Sequence, residues 1–550
     1  MADIINKGIV VKNTDFIWQN GLLMLLLAII SAFCALATSF FAARIGANFS
    51  RDLRTAVFTK VLNFNITDSK DFSTASLITR TTNDINQVQQ SVMMILSMLI
   101  RAPLFCIFSL VMAFKTAPDM TWIIAVAILV LFISIAIIMA LVIPKFKVFQ
   151  KVFDKITLLT RENLTGLRVI RAFNNENLEK QKFMKTNKGL TKLLIFIDKI
   201  LELQDPLINV VFNGTTLLCT WIGISLLTKD FAYLGNMAAF AEYVTHMMIS
   251  ILMLSILLIM LPRANVSAGR INEVLKTKNR IRWKKTTNGA PSVSPKIEFR
   301  NVDFKYGDAE EKVLSNISFI AKAGETTAFV GSTGSGKSTL INLVPRFYEA
   351  TSGDILVDDI NIKDYAKNDL MKRIGFVPQR GILFSGTVKS NIAFGAPNAT
   401  DEDIKKAAEI SQSKEFVEKL PDKYNSKISQ GGTNVSGGQK QRLSIARAIC
   451  KDPEILVFDD SFSALDMKTD AKLRNALTKI TKEKVVLIVA QRINTIKDAD
   501  QIIVLDKGKI VGKGTHFELL NKCEVYNEIV KSQFSEQEYK NAVKEAHDRA

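Results

Sequence analysis

The sequence holds 550 residues, 48% of them hydrophobic and 23% charged, with 71 Lys and Arg against 53 Asp and Glu and a net charge of +18. That much apolar content beside that much charge excludes a disordered tail protein, a collagen and a small disulfide scaffold. A basic excess of this size points to nucleic acid or to an anionic membrane surface, and its position decides between them. Residues 1–290 carry 32 Lys and Arg against 17 acids, whereas 291–550 carry 39 against 36, so the excess shares its half with the apolar runs and disfavours nucleic acid.

The chain opens with MADIINKGIV, which lacks a signal-peptide pattern and reads like the outer end of an apolar helix, followed over 6–20 by an external loop. Gly21–Phe41 is 21 residues without a charge, close to the ~20 needed to cross a bilayer. Further apolar runs near 91–113, 121–142, 206–228 and 236–261 bring the expected spans to five. The stretches 42–90, 143–205 and 262–290 carry six, thirteen and eight Lys or Arg, while the short connectors carry Lys115 and Lys229 only. The positive-inside rule places the three basic stretches in the cytoplasm, with the N-terminus outside and everything after 262 inside.

Lys145–Lys199 is polar and helix-periodic with few breakers, which predicts helices continuing beyond the bilayer. Two charges lie within spans, Arg101 beside Pro103 and Glu242, either as a structural pair or as part of a substrate cavity. Asp205 and Arg263, near cytoplasmic ends, need only snorkelling or pairing. Residues such as Phe105, Phe108, Met247 and Met248 could line an adaptable apolar path, though such side chains more often face lipid.

A turn-rich stretch, TTNGAPSVSP at 286–295, separates this half from the next, where KIEFRNVDFKY alternates as a strand. From Gly331 the sequence reads GSTGSGKST, between a strand (TTAFV) and a helix (TLINLV), the setting a phosphate-binding loop requires. Gly331, Ser332, Thr333, Gly334, Ser335 and Gly336 would turn backbone N–H groups toward phosphate oxygens. Lys337 would reach the β/γ-phosphates, Ser338 would ligate Mg²⁺ and Thr339 would follow at the helix start. PEILVFDD (453–460) reads as a buried strand ending on Asp459, placed for the magnesium, and Asp460, placed to polarise an attacking water. The five cysteines (Cys34, Cys106, Cys219, Cys450 and Cys523) show no metal or CxxC spacing and are expected as reduced thiols.

Between these motifs lies NVSGGQKQRLSIARA, and its VSGGQ resembles the signature of the ATP-binding cassette (ABC) family. The rest of that family's pattern follows in order: Tyr306 is similar to the aromatic that stacks on adenine, Gln379 in FVPQ to the Q-loop, and Ser463–Asp466 (SALD) to the D-loop. RENLTGLRVIRAF (161–173) and DFSTASLITRTTNDINQV (71–88) are similar to the intracellular loops of ABC exporters. The resemblance implies an all-α transmembrane domain of the type IV exporter kind, with five spans visible of an expected six, fused to an α/β P-loop ATPase domain. Its implied extents are 1–280 for the membrane domain, 281–295 for a linker, 296–533 for the ATPase domain and 534–550 for a polar C-terminal tail. It implies ATP and Mg²⁺ as ligands, the metal held by Ser338, Gln379 and Asp459, and Ser436, Gly437, Gly438 and Gln439 offered to the ATP of a second ABC half-transporter chain. Since six spans are the family's pattern, Met1 is expected to be an internal methionine, with an apolar helix upstream of it.

Two positions depart from the family. Asp460 stands where its hydrolytic Glu belongs, and Gln491, in IVAQRINTI, where its switch His belongs. A carboxylate misplaced by about 1 Å can cost roughly 100-fold in rate, and Gln cannot carry a proton. A weakened own site beside an intact signature is expected of one chain of a heterodimeric exporter in the cytoplasmic membrane, moving amphipathic drugs or lipids outward. The alternatives are an ATP-switch regulatory subunit and a dedicated peptide exporter subunit. No nucleic acid partner is expected.

Overall fold

The structure, a computed structural model, describes residues 2–227, 233–287, 295–307 and 309–548. Lys229 and residues 288–294 of the expected linker lie outside them. The chain divides into two compact units, one of Met1–Leu62 with Thr74–Lys276, the other of Asn63–Ser73 with Thr277–Ala550.

The first unit is built on five long helices: α1 (Thr14–Leu62), α3 (Thr74–Thr116), α4 (Pro118–Thr165), α5 (Glu176–Ile224) and α6 (Leu234–Lys276), with the short α2 (Ile66–Lys70) belonging to the other unit. Each long helix runs 43 to 49 residues, which at 1.5 Å per residue is roughly 65–75 Å, about twice the ~30 Å hydrocarbon thickness. The apolar part crosses the membrane and the basic part continues past it. Hydrophobicity does not drive helices together in lipid, so α1 can leave Leu25 and Phe33 64% and 72% exposed within this unit.

The buried contacts join α3, α4, α5 and α6 through Ala113, Ile124, Cys219, Phe240 and Met247. Met247 and Met248 therefore belong to helix packing, not to an adaptable path, while Phe105 and Phe108 are exposed. Near the cytoplasmic ends, Arg80 bonds the Arg270 carbonyl at 2.8 Å and Glu273 at 2.7 Å, and Ser267 donates to the buried Asp84 at 2.8 Å, joining α3 to α6.

In the second unit, β1 (Lys296–Phe304), β2 (Leu314–Lys322), β4 (Ser352–Val357) and β5 (Ile360–Asn361) form an antiparallel sheet in the order β2-β1-β4-β5. A second sheet, in the order β12-β11-β3-β10-β9-β6, comprises β3 (Thr326–Gly331), β6 (Ile374–Val377), β9 (Ile455–Asp459), β10 (Val485–Val489), β11 (Gln501–Asp506) and β12 (Lys509–Gly514), parallel except for β12. A short pair, β7 (Gly386–Thr387) with β8 (Lys427–Ile428), stands apart. Side chains alternate faces along a strand: Val485, Leu487 and Val489 join the core shared with the antiparallel sheet, Val486 and Ile488 the core shared with the helices. Burial on both faces explains why these strands read as unbroken apolar runs.

Asp303 fastens the antiparallel sheet. Its carboxylate accepts from Lys312 Nζ at 2.7 Å, Asn316 N–H at 2.8 Å and Ser352 Oγ at 2.8 Å. The Lys312 bond foremost, with those of Asn316 and Ser352, holds its pKa down to about 2. A depressed folded-state pKa adds stability above the unfolded value near 3.8, and that stability is lost as pH falls toward 2. Asp303→Asn should lower the unfolding temperature at pH 6 and flatten its fall between pH 4 and 2; thermal unfolding of the two proteins across that window checks this.

The C-terminal residues depart from expectation. The stretch 534–550 was expected as a polar tail, yet it forms α11 (Glu536–Asp548), which follows α10 (Glu524–Gln533). Ala546 is fully buried, Asn521 bonds its carbonyl at 2.9 Å, and Tyr539 Oη donates to Asn527 at 3.1 Å. A helix this polar is held by one narrow apolar stripe, Tyr539, Ala542 and Ala546, set against the helical core. Residues at the start of the expected linker are docked as well: the Arg346 guanidinium lies 4.8 Å over Trp283, and Thr287 bonds Asp369.

Candidate active site

The loop between β3 and α7 (Lys337–Leu343) forms an open cradle, with Ser332, Thr333 and Gly334 exposed and Ser335 buried. Gly336 caps α7 at φ +98°, where a Cβ would press on the Leu314 side chain and the Val313 carbonyl. Gly331 similarly lies against the Leu505 carbonyl, so neither position admits a side chain. Lys337 Nζ folds back on its own loop, donating to the carbonyls of Gly331 at 2.9 Å and Ser332 at 2.7 Å. Burial lowers its pKa, against an opposing pull from Asp460 and Asp459. A phosphate entering the cradle would replace those carbonyls with charged oxygens, a stronger kind of partner.

β9 carries the acids to the same place. Ser338 Oγ donates to Asp459 Oδ1 at 2.7 Å, and burial raises the Asp459 pKa. A hydroxyl and a buried carboxylate are the hard oxygen donors magnesium takes, in the small number expected where phosphates and water complete the shell. No cluster of three or more His, Cys, Asp or Glu suited to a metal occurs among the described residues.

Asp460 sits in the left-handed region at φ +46°, a conformation Asp adopts more readily than most residues. Its carboxylate oxygen Oδ2 accepts from Gln491 Nε2 at 2.8 Å and from Gln379 Nε2 at 3.3 Å. Burial raises its pKa, opposed by those donors and by Lys337. Gln379, expected among the metal's ligands, makes its hydrogen bond to Asp460 and not to the Ser338–Asp459 pair among the described residues. The two positions that depart from the family therefore touch each other. Sequence reasoning named both without showing this, since β9 and β10 are brought side by side only by sheet order.

Tyr306 Oη lies 2.9 Å from Thr339 Oγ1, and its ring meets Phe304 and Tyr348 edge-on. A cavity of about 190 Å³ opens beside it, lined also by Tyr348, Arg280 and Thr67. These three were missed. Thr67 belongs to α2, which Asp68 ties to Arg280 through the Arg280 N–H at 3.4 Å; an N-cap signal, Asn65 three residues before Asp68, was legible.

The signature lies elsewhere on the unit. Ser436 caps α8 (Gly437–Cys450), its N–H donating to Gln439 Oε1 at 2.9 Å and its Oγ accepting from Gln439 N at 3.3 Å. Ser436 and Gly437 are exposed, so the N-terminus of α8 is open to an anion. Gln441 Nε2 donates to the Pro378 carbonyl at 3.0 Å, next to Gln379, so α8 is hydrogen-bonded to the loop that reaches Asp460. Asp466, closing the SALD stretch, caps α9 (Met467–Thr478) through Thr469 N at 2.9 Å.

Comparison with known proteins places these features together. A model of the ABC transporter transmembrane region matches residues 1–252, and a model of the ABC transporter matches 314–463. An uncharacterized ABC transporter ATP-binding protein of Mycobacterium tuberculosis (strain CDC 1551 / Oshkosh) is 37% identical over 539 residues, 97% of this chain and 92% of that one. An ATP-dependent lipid A-core flippase of Desulfotalea psychrophila is 31% identical over 528 residues, 94% and 91% of the two chains. Among solved structures, a bacterial Atm1-family ABC exporter with ATP bound shares the fold, with a TM-score of 0.77 at 23% identity over 90% of this chain and 86% of that one.

Proposed function

The chain belongs to the ABC transporter family, and we propose on that premise that it is the ATP-retaining half of a heterodimeric exporter of amphipathic drugs or lipids. It is a multi-span membrane protein, with five apolar helices among its described residues and a cytoplasmic transport ATPase domain that drives export. The observation that carries the finer reading is the Gln491–Asp460 hydrogen bond. A carboxylate one methylene short of the family's Glu, and held by two side-chain amides, is poorly placed to take a proton from water. The residue in the switch position is the one that holds it there.

Binding and turnover then separate. Ser332 to Thr339 cradle the triphosphate of ATP, with Lys337 on its outer phosphates and Tyr306 beside the base. Ser338 and Asp459 would hold Mg²⁺, which when bound neutralises phosphate charge. Ser436–Gln439 would complete the ATP site on the second chain, where hydrolysis resets the pair. Closure of two ATPase domains on ATP shifts the membrane helices to an outward-open state, and hydrolysis on the partner's side returns them. Relatives that are ATP-dependent lipid A-core flippases favour a lipid among possible cargoes.

At Gly438, near the start of α8, an added Cβ would come within 3.2 Å of the Ala464 carbonyl. Gly438→Asp would put a negative charge where an outer phosphate belongs. It should lower ATP hydrolysis by the assembled two-chain transporter about 100-fold, the scale of losing preorganised oxyanion donors, while ATP still binds at Lys337. Co-purified transporter carrying this change, assayed for phosphate release and nucleotide content, provides the test. Unchanged hydrolysis would argue for the regulatory reading.

A further inference from the structure

The two charges within the spans are not a pair. Arg101 places its guanidinium 5.3 Å over the ring of Phe105 on α3. Phe105 stacks on His246 of α6, with ring centroids 5.9 Å apart and planes 18° from parallel. His246 Nε2 lies 3.6 Å from Glu242 Oε1, one turn away on α6. The result is a row across two helices: guanidinium, phenyl ring, imidazole, carboxylate.

Its setting is unusual in energy. Arg101 stands near the middle of the apolar run 91–113, roughly 15 Å from either end at 1.5 Å per residue, too deep for snorkelling to reach water. An arginine at that depth is costly even on insertion scales. Yet Arg101 is exposed on the unit, as are His246 at 46% and Glu242 at 58%. Glu242 lies only six residues inside the apolar run 236–261, roughly 9 Å from its outer end, so the row climbs from mid-span toward the outer surface. A face carrying a cation at mid-span and an anion above it is not one turned to hydrocarbon. The two charges also stand apart, divided by two stacked rings, so they neither neutralise nor satisfy each other.

The geometry points to a headgroup site for a zwitterionic lipid, its phosphate against Arg101 and its ammonium against Glu242, with the Phe105 and His246 rings between. Each charged end of the lipid supplies a counter-ion that no Lys, Arg, Asp or Glu among the described residues gives that end of the row, and aromatic faces accept an alkylammonium favourably. A purely anionic lipid would meet Glu242 and a purely cationic one Arg101, so selectivity comes from repulsion as well as attraction. The site rests on the export reading, since it gives that activity its substrate class.

The test uses phosphatidylcholine, phosphatidic acid and a diacyl trimethylammonium lipid with the same photoreactive acyl chains, in nanodiscs holding the assembled full-length transporter. Without nucleotide, phosphatidylcholine should label α3 and α6 near this row about tenfold more than either other lipid. Arg101→Gln should remove the phosphatidylcholine preference and raise labelling by the cationic lipid; Glu242→Gln should remove it and raise labelling by phosphatidic acid. Arg101→Lys, which keeps the charge, should keep the preference, separating recognition from folding. Equal labelling by all three lipids, or parallel loss of all three in both charge-removing variants, overturns the site. Labelling that is selective but indifferent to added ATP upholds it and counts against the export reading; labelling that ATP releases but that shows no headgroup preference does the reverse.

Discussion

Asp460→Glu combined with Gln491→His should raise ATP turnover by this chain about 100-fold. One methylene extends the carboxylate toward the space above Lys337, and misplacement by about 1 Å is worth roughly that factor. The histidine removes the amide that now holds Asp460 Oδ2 at 2.8 Å and supplies a group able to carry charge near neutral pH. Because the two side chains touch, their effects should not add: Gln491→His alone frees a carboxylate that is still too short, and Asp460→Glu alone leaves the longer side chain facing the same amide. Each single change should give under tenfold. Position 460 sits at φ +46°, less comfortable for Glu than for Asp, so the double variant should also unfold at a slightly lower temperature. Steady-state phosphate release by the four proteins, reconstituted in lipid, measures the cycle.

Lys337→Ala should abolish nucleotide binding at the concentrations where the parent protein saturates, weakening ATP affinity by roughly 100-fold or more. The ammonium is the cation of the cradle, and its present partners are backbone carbonyls of Gly331 and Ser332 at 2.9 and 2.7 Å, which it can exchange for phosphate oxygens without moving the backbone. Charge-assisted hydrogen bonds contribute about 1.5–3 kcal/mol each, and the lysine supplies more than one. Its half-buried setting lowers its pKa, so an anion should raise that pKa on binding and affinity should weaken as pH rises through the alkaline range. The fold should survive, since among the described residues the hydrogen bonds of the Lys337 ammonium stay within its own loop. A thermal shift with ATP reads the loss: at 100 times the parent's Kd, ligand stabilisation of about 2.7 kcal/mol should nearly vanish.

Much of this was legible because the signals are local. Charge-free runs and basic loops define spans and sidedness without reference to neighbours, and the phosphate loop, Asp459 and the Ser436 cap are each written within a few residues. Parts that depend on non-adjacent segments were not legible. Gln491 and Asp460 are 31 positions apart and meet because β9 and β10 pair in parallel. Arg101 and Glu242 looked like a possible pair, and only the stacking of Phe105 on His246 shows them held apart. Met247 and Met248 read as facing lipid more often than as lining a path, and their burial at 0% and 4% puts them in helix packing instead. The 534–550 segment read as a tail since composition dominates a polar stretch, although Tyr539, Ala542 and Ala546 mark one apolar face at helical spacing.

The central claim is that this chain holds ATP at a site built for binding and poorly built for turnover. The most direct measurement is the ATPase rate of the chain purified alone in lipid, alongside its bound nucleotide. The expected result is ATP retained at Lys337 with turnover on the order of 0.01 per second, well below the range of ordinary enzymes. Sustained turnover by the single chain of about 1 per second or faster would contradict it.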